Sequence, residues 1–327
     1  MSVSDPVRPR PLTKRPLKVG LHIPHQMGLM GGGTPRWHVI VAMAQRAAAV
    51  GFDSLWLVDH LLSPPGAPLW RGGPPTAMDE QRGTWECWSL LSALAVAVPH
   101  VELGTLVLNT TLRNPALLAK MAETVDEISG GRVILGLGAG DAPFEHHAFG
   151  YPFDRRVGRF AEAVTIIGGL LRHGASDFHG AYYQTRDCVL LPRGPRRAGP
   201  PILIGSLAQG PRMLRLVVEH ADIWNGWLVH SRSSADAVPP LRDAMDAACL
   251  DAGRDPATLA RSVAIRVALL GQPAPTGEAI QGNPEAIAAA LRAHAAAGIA
   301  HVQVWLTPDT IAGVEAFAPI LELLDRG

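Results

Sequence analysis

The chain has 327 residues, of which 47% are hydrophobic and 18% are charged. This composition excludes a disordered protein, because it supplies enough apolar side chains to bury a sizeable core. Lys plus Arg and Asp plus Glu each number 29, and a balanced chain is not expected to bind nucleic acid or an anionic membrane as its main partner, since both require a cationic surplus.

Short apolar runs alternate with helix-like stretches along the chain. Residues 1–16 are basic and rich in proline without the apolar core of a signal peptide, so we expect a flexible N-terminal arm followed by one folded domain over residues 17–327. Strands are predicted near residues 18, 54, 102, 132, 201, 222, 262 and 301. Helices are predicted over Arg36–Val50, Glu86–Val98, Pro115–Ile128, Arg155–Leu171 and Pro211–Glu219, and Ala/Leu-rich helices adjoin the last two strands.

The predicted strands are apolar throughout, which is typical of strands buried on both faces of a parallel sheet. Repeated strand–helix units favour an α/β fold that closes as a single TIM (β/α)8 barrel, and an open doubly wound sheet is the alternative. Such a barrel needs roughly 250 residues. The surplus is predicted in insertions after strand 2, over Leu61–Thr84, and after the fourth helix, over His173–Pro200.

Polar side chains follow several predicted strands at their C-terminal ends, where the reactive groups of such barrels lie. Asp59 and His60 follow strand 2, and a neighbouring carboxylate can fix the tautomer of an imidazole and raise its basicity. His22 and His25 follow strand 1, where a capped or solvated histidine is the simpler interpretation. Further strand-end candidates are Asn109 after strand 3, Asp141 after strand 4 and Trp305 in strand 8.

Two glycine-containing segments are candidates for ligand binding. Gly138, Ala139 and Gly140 lie at the end of strand 4, where missing Cβ atoms let a flat ring approach the backbone. After strand 5, the segment before Pro211 has small residues that leave backbone N–H groups free to bind a phosphate, although an ordinary strand–helix turn explains it equally well. The candidate residues there are Gly205, Ser206, Leu207, Ala208, Gln209 and Gly210. The histidines lack a metal-binding spacing, so we predict no metal site.

Several fragments together resemble the bacterial luciferase-like oxidoreductase family, which adopts a TIM barrel. The fragments that carry the resemblance are Leu103-Gly104-Thr105, Arg113-Asn114-Pro115, Asp126-Glu127-Ile128-Ser129-Gly130-Gly131-Arg132, Gly136-Leu137-Gly138-Ala139-Gly140, Gly150-Tyr151-Pro152-Phe153 and Gly210-Pro211-Arg212-Met213-Leu214. The resemblance implies either FMN or the deazaflavin coenzyme F420 as cofactor. Reduced FMN reacts with oxygen, whereas the deazaflavin has carbon at the corresponding ring position and carries hydride.

Two sequence features favour the deazaflavin coenzyme over FMN. Asp59-His60 is similar to the Asp-His pair after strand 2 of deazaflavin-dependent dehydrogenases, and Gly138-Ala139-Gly140-Asp141 resembles their Gly-x-Gly-Asp/Glu element. A phosphosugar substrate is not expected, because Ser63-Pro64-Pro65 replaces the tryptophan of the sugar-phosphate dehydrogenase.

The resemblance also implies site residues. A non-proline cis peptide is expected at Leu106-Val107, and the cofactor ring is expected on Leu106, Val107 and Gly138–Gly140, with Asp59 and Asn109 nearby and the tail phosphate at Ser206–Gly210. His60 is expected to act as acid, base or stabiliser. Asp141 is a candidate proton donor if a buried site raises its pKa, and a loop cap or a hydrogen bond to the cofactor is its alternative role. Trp70 and Trp85 are expected to form an apolar lid over the substrate.

These expectations lead to three functional hypotheses. The first is an F420-dependent oxidoreductase that transfers hydride to or from a small organic substrate. The second is an FMN-dependent monooxygenase that receives reduced flavin from a partner reductase, and the third is a cofactor-binding protein without turnover. The three scattered cysteines favour the cytoplasm, no apolar run suggests a membrane span, and the resemblance implies a homodimer.

Overall fold

The computed structural model describes residues 15–30, 32–67, 77–206, 210–229, 232–272 and 279–327. Its helices are α1 (Trp37–Val50), α2 (Cys87–Ala97), α3 (Pro115–Ser129), α4 (Pro143–Ala148), α5 (Arg156–His173), α6 (Pro211–His220), α7 (Val238–Asp251), α8 (Pro284–Ala296) and α9 (Ile311–Arg326). Its strands are β1 (Lys18–His22), β2 (Ser54–Leu57), β3 (Glu102–Thr105), β4 (Leu108–Asn109), β5 (Val133–Gly138), β6 (Ala175–His179), β7 (Gln184–Val189), β8 (Ile202–Ser206), β9 (Ile223–Trp227), β10 (Ala260–Leu269), β11 (Ile280–Gly282) and β12 (His301–Thr307).

Parallel strands close into a barrel in the order β1, β2, β3, β5, β8, β9, β10 and β12. The ring closes because β12 pairs with β1, and because β10 pairs with both β9 and β12. The predicted TIM barrel is therefore confirmed, and the open sheet is wrong because no edge separates β1 from β12. Each barrel strand begins within two residues of its predicted position.

Local sequence signals place the helices that follow these strands. Asn114 caps α3, because its Oδ1 accepts hydrogen bonds from the N–H groups of Ala116 and Leu117 at 3.0 and 3.1 Å. Pro115 occupies the first turn, where a missing N–H has no consequence. Gly130 ends the helix with a φ of +68°, which glycine adopts without steric cost.

Two apolar clusters make up the core. The larger one packs the helices against the outside of the barrel and includes the contact between Phe52 and Phe317. The smaller one fills the barrel interior towards the C-terminal ends of the strands; its buried members are Trp56, Val58, Leu106, Ile134, Leu203, Val229, Ala264 and Trp305. The candidate site therefore rests on an apolar, partly aromatic floor.

The second insertion differs from its prediction. Instead of a long irregular loop, β6 and β7 form an antiparallel hairpin within residues 173–200. The hairpin is mostly exposed on both faces, so its sequence lacks the apolar alternation that marks a half-buried strand. In the first insertion, the described residues 61–67 and 77–84 pair through a bridge between Leu62 and Gly83.

The N-terminal boundary is also informative. Residues 1–14 of the predicted arm lie outside the described residues. Arg15 is buried, and its guanidinium forms ion pairs with Asp325 at 2.6 Å and Asp53 at 3.1 Å. Arg15 therefore belongs to the packed domain and not to an arm. None of the helices within the described ranges combines the length and apolar character needed to cross a bilayer.

Candidate active site

Asp59 links the end of β2 to the polypeptide that follows β4. Its buried carboxylate accepts two hydrogen bonds from Arg113, at 2.6 Å from Nη1 and 3.0 Å from Nη2. It also accepts the backbone N–H of Asn109 at 2.9 Å. Burial alone would lower the pKa of Arg113, but attraction to Asp59 raises it instead. The carboxylate predicted to contact the cofactor thus has its oxygens directed at protein donors.

His60 has a different carboxylate partner from the one expected. Its Nδ1 lies 3.3 Å from Oε1 of Glu145, a buried residue of α4. The other oxygen of Glu145 accepts the backbone N–H of Leu61 at 2.8 Å. Glu145 therefore fixes both the ring of His60 and the peptide that follows it. The expectation that Asp59 orients the imidazole is wrong, since Asp59 is occupied by Arg113.

The electrostatics of His60 follow from this contact. Burial would lower its pKa, but the hydrogen bond and charge of Glu145, with smaller contributions from Asp141 and Asp59, raise it above the ordinary value. The protonated imidazole is thus stabilised at the barrel mouth. Asp141 lies close enough to act on His60, but it is exposed, so the buried surroundings expected for this carboxyl group are not present.

Asn109 connects the third barrel segment to α4. Its Nδ2 lies 2.6 Å from Nε2 of His146, and Nδ1 of His146 lies 2.9 Å from the carbonyl oxygen of Pro152. Because a carbonyl oxygen only accepts, the proton of this histidine sits on Nδ1, and Nε2 accepts from the amide of Asn109. The side chain of Asn109 is thereby committed within the protein.

The peptide between Leu106 and Val107 is cis, which confirms the expectation drawn from the resemblance. Leu106 is buried in the interior cluster, and Val107 packs against that cluster while remaining partly accessible. This segment lies between β3 and β4, so it interrupts the third barrel strand at the mouth.

The glycines of the site lie close to protein side chains. A Cβ atom on Gly138 would lie 2.5 Å from Cγ2 of Val107, and one on Gly205 would lie 3.0 Å from Cγ1 of the same residue. Gly140 has a φ of +73°, and a Cβ there would lie 2.5 Å from Nδ2 of Asn109. These glycines make room for neighbouring protein side chains, and the approach of a flat ring to Gly138 and Gly140 stays a prediction. Ala139 is partly buried against the larger core.

The predicted phosphate segment is described at its two ends. Gly205 and the buried Ser206 end β8, and Gly210 precedes α6, which begins at Pro211 as predicted. Leu207, Ala208 and Gln209 lie outside the described residues. The strand end and the N-terminus of a ten-residue helix therefore face the same segment.

The predicted lid is only partly described. Trp70 lies outside the described residues, and Trp85 is exposed with its Nε1 donating a hydrogen bond to the carbonyl oxygen of Pro35 at 2.7 Å. Trp85 is thus tied to the loop that follows β1.

Another part of the mouth carries aromatic and basic residues from β1, β9, β10 and β12. The ring of His22 stacks on Trp305 with centroids 4.4 Å apart and planes 9° apart, and Trp227 meets Trp305 edge-on at 4.8 Å. Nε2 of His22 is buried without a hydrogen-bond partner among the described residues. Burial, followed by the nearby charges of His25 and Arg266, lowers the pKa of His22 well below its ordinary value.

His25, by contrast, has a backbone carbonyl oxygen close to each ring nitrogen, and because burial lowers its pKa the neutral ring donates to one of the two. Nδ1 lies 2.8 Å from the carbonyl oxygen of Ile23, and Nε2 lies 3.0 Å from that of Val58. It holds the ends of β1 and β2 together, in agreement with the structural interpretation of this residue.

Sequence reasoning missed Arg113, Glu145 and Arg266. Arg113 stood in a family-like fragment without an assigned role, and Glu145 lies in a six-residue helix that was not predicted. Arg266 left a usable signal, because it is the one charged residue in the otherwise apolar stretch 263–269 of β10.

The closed eight-stranded parallel barrel and the residues gathered at its C-terminal end define a TIM-barrel protein of the enzyme type. The model of the luciferase-like monooxygenase family matches residues 17–274. The chain therefore belongs to this family of oxidoreductases.

Individual relatives are consistent with that membership. A phthiodiolone/phenolphthiodiolone dimycocerosates ketoreductase from Mycobacterium kansasii is 31% identical over 73% of this chain and 65% of the relative. An F420-dependent glucose-6-phosphate dehydrogenase from Amycolatopsis mediterranei is 34% identical over 53% of this chain and 48% of the relative. The matches thus span about half to two thirds of the relatives' length.

A solved structure agrees with the fold. An F420-dependent secondary alcohol dehydrogenase in complex with an F420-acetone adduct superposes with a TM-score of 0.75 at 18% identity, covering 94% of this chain and 99% of the other. At that identity the likeness supports the barrel architecture alone.

Proposed function

We propose that the protein is an oxidoreductase that uses coenzyme F420 to transfer hydride to or from a small organic carbonyl or alcohol. The observation that carries this proposal is the pairing of His60 with buried Glu145 at the barrel mouth. Reducing a carbonyl group requires a proton at its oxygen as well as a hydride, and a protonated imidazole supplies one. The relative from Amycolatopsis, which is named as F420-dependent, supports the choice of cofactor.

The surroundings of the mouth fit a flat ring with polar edges. One wall is formed by Leu106 and Val107, and the floor is the apolar interior cluster. Nε2 of His22 and Nε of Arg266 are buried without a hydrogen-bond partner among the described residues, so a ligand of mixed character suits the site. We place the ring against Leu106 and Val107 and the tail phosphate between Ser206 and Gly210. When bound, coenzyme F420 supplies the carbon that accepts or donates hydride.

The chain's own residues hold and move the proton. Glu145 occupies Nδ1 of His60, which leaves Nε2 as the atom that passes a proton to or from the substrate oxygen. The negative charge of Glu145 counteracts the effect of burial on the imidazole, so the proton remains available near neutral pH. Asp141 adds a second negative charge nearby, and we assign it the role of exchanging protons between His60 and solvent.

A His60→Ala variant tests this role. We expect turnover of F420 with ketone and alcohol substrates, followed without oxygen, to fall by 100-fold or more, because general acid catalysis typically contributes about 10²–10⁴-fold. Affinity for the cofactor should change less than two-fold. His147→Ala is the matched control, since His147 is an exposed histidine on α4. Turnover that is unchanged in His60→Ala removes His60 from the mechanism.

The family description favours a second candidate, an FMN-dependent monooxygenase that receives reduced flavin from a reductase. Oxygen consumption with added reduced FMN separates the two functions. Our proposal predicts no substrate-dependent oxygen uptake, whereas uptake coupled to substrate oxidation establishes the monooxygenase.

We also infer a homodimer. The resemblance implies this state, and Leu117 and Ile128 of α3 are exposed apolar residues, at 56% and 49% of their full exposure, whose burial between two copies would remove apolar surface from water. Light scattering of the full chain should give twice the monomer mass, and a monomer mass at micromolar concentration contradicts the inference.

A further inference from the structure

Arg266 is a buried cation at the barrel mouth whose guanidinium has no partner among the described residues. It lies in β10, where it pairs in register with Trp305 of β12, and its neighbour two residues earlier, Ala264, belongs to the interior cluster. Because alternate residues of a strand share a face, the side chain of Arg266 points into the barrel. The residue is only 7% exposed.

The guanidinium of Arg266 has no hydrogen bond or ion pair with any residue in the described part of the chain. Its Nε atom is buried and has no partner among these residues, whereas its backbone N–H donates to Oγ of Ser233 at 3.0 Å. Burial lowers the pKa of Arg266, but a guanidinium remains charged in proteins.

Other largely buried arginines of this protein have hydrogen-bond or ion-pair partners. Arg113 is paired with Asp59 and Arg15 with Asp325, while Arg132 donates to four backbone carbonyl groups. A buried charge normally persists only where a partner compensates its desolvation. An arginine that lacks such a partner inside a candidate active site therefore points to a partner that arrives with a ligand.

His22 extends this unpartnered surface. It is 6% exposed, its Nε2 has no partner, and Arg266 is close enough to lower its pKa. Its ring is held flat against Trp305. A neutral imidazole offers one N–H donor beside the guanidinium, so the two side chains together present several donors towards a single ligand group.

We infer that Arg266 and His22 form a subsite for a carboxylate group of the substrate. The planar fork of a guanidinium matches the two oxygens of a carboxylate, and the faces of Trp305 and Trp227 provide an apolar wall for the rest of the molecule. The substrate class is thus a small keto or hydroxy carboxylate with an apolar body.

The position of the subsite agrees with the proposed function, on which this assignment of substrate rests. Leu106 and Val107 lie on the third barrel strand and Arg266 lies on the seventh, which is the opposite wall of an eight-stranded barrel. A ring against the third strand leaves the space beside the seventh strand for the substrate. The cofactor also carries anionic groups, but these are assigned to the segment between β8 and α6.

The experiment compares benzoate with benzamide, an uncharged molecule of nearly the same shape, using the tryptophan fluorescence of the full chain without cofactor. We expect the wild-type protein to bind benzoate at least ten-fold more tightly than benzamide. In Arg266→Met this preference should disappear, while Arg266→Lys should retain part of it. The matched control is Arg261→Met, because Arg261 lies on the same strand but pairs with Asp246.

Two further measurements separate the alternatives. Arg266→Met should have a thermal midpoint of unfolding equal to or above that of the wild type, because an unpaired buried charge is removed. If the midpoint of Arg266→Met is lower and Arg266→Lys restores it, Arg266 has a structural role and the proposal is overturned. Titration of Arg266→Met with coenzyme F420 should give an affinity for the cofactor within two-fold of that of the wild type. A ten-fold loss of cofactor affinity with unchanged benzoate binding shows that Arg266 holds the cofactor instead. Equal binding of benzoate and benzamide to the wild-type protein overturns the subsite whatever the variants do, and leaves the hydride-transfer proposal to its own test.

Discussion

The two sides of the barrel mouth differ in how their polar groups are satisfied. On the side of β2, β4 and α4, Asp59, Arg113, His60 and Glu145 are joined by hydrogen bonds and ion pairs. On the side of β1, β10 and β12, Nε2 of His22 and Nε of Arg266 lie buried with no hydrogen-bond partner in the described part of the chain, next to stacked aromatic rings.

This difference separates what the fold holds in place from what a ligand completes. Side chains held by such pairs keep their geometry before any ligand binds, which is the preorganisation that catalytic groups require. Unpaired buried groups cost free energy in the empty protein, and that cost is recovered when a ligand supplies the missing partner. We therefore assign catalysis to the first side and substrate recognition to the second.

The largest effect is expected from breaking the paired side at Arg113. Arg113→Met leaves the carboxylate of Asp59 buried and short of two hydrogen bonds, and should lower the free energy of unfolding by about 3–5 kcal/mol. Urea denaturation measures this change. The double variant Asp59→Asn/Arg113→Met should be less destabilised than Arg113→Met alone, because no buried charge is left without its partner.

Arg326→Met is the control for that experiment. Its ion pair with Glu322 is exposed on α9, and pairs of this kind contribute little to stability, so no measurable change is expected. If Arg113→Met is as stable as Arg326→Met, the paired side does not depend on this ion pair.

A smaller effect is expected at Gly138, where the protein makes room for Val107. A Cβ atom in Gly138→Ala would approach Cγ2 of Val107 to 2.5 Å, and such overpacking costs about 1–3 kcal/mol. In a thermal or urea unfolding series, Val107→Ala should relieve part of this loss in the double variant. Gly33→Ala serves as control because no atom lies within 4 Å of the added Cβ and its φ is not in the left-handed region. Strictly additive losses in the double variant would show that Val107 is not the obstacle.

The smallest effect concerns the proton on His60. Glu145→Gln should lower the pKa of His60, measured by NMR titration of the imidazole, because the carboxylate that opposes the effect of burial is removed. Since the folded-state pKa is raised, the His60–Glu145 pair stabilises the fold fully below the ordinary value of 6.5, and this stabilisation is lost as the pH rises through the folded-state pKa. The pH dependence of unfolding above 6.5 should therefore flatten in Glu145→Gln, with His147→Gln as the exposed control. An unchanged His60 titration would mean that Glu145 does not hold the imidazole.

The barrel itself was predictable from the sequence, because each barrel strand is a short apolar run. Glycines, prolines and helix caps mark the ends of these runs and of the helices between them. The hairpin β6–β7 was not, since residues exposed on both faces leave no periodic pattern. Helix α4 is too short for its periodicity to register.

The site was predictable in part. Reading the strand ends located His60, and the family resemblance located the cis peptide at Leu106-Val107. The partner of His60 was missed because Glu145 is 85 residues further along the chain, and no local pattern reports a contact of that range. The packing of Val107 against Gly138 was missed for the same reason, because Val107 comes from the separate segment between β3 and β4.

The most direct test of the account is a fluorescence titration of the purified full chain with coenzyme F420 and, separately, with FMN. The account predicts binding of F420 at micromolar or lower concentration, and no saturable binding of FMN in that range. Tight binding of FMN without binding of F420 would contradict the proposed cofactor and the hydride-transfer chemistry assigned to the barrel mouth.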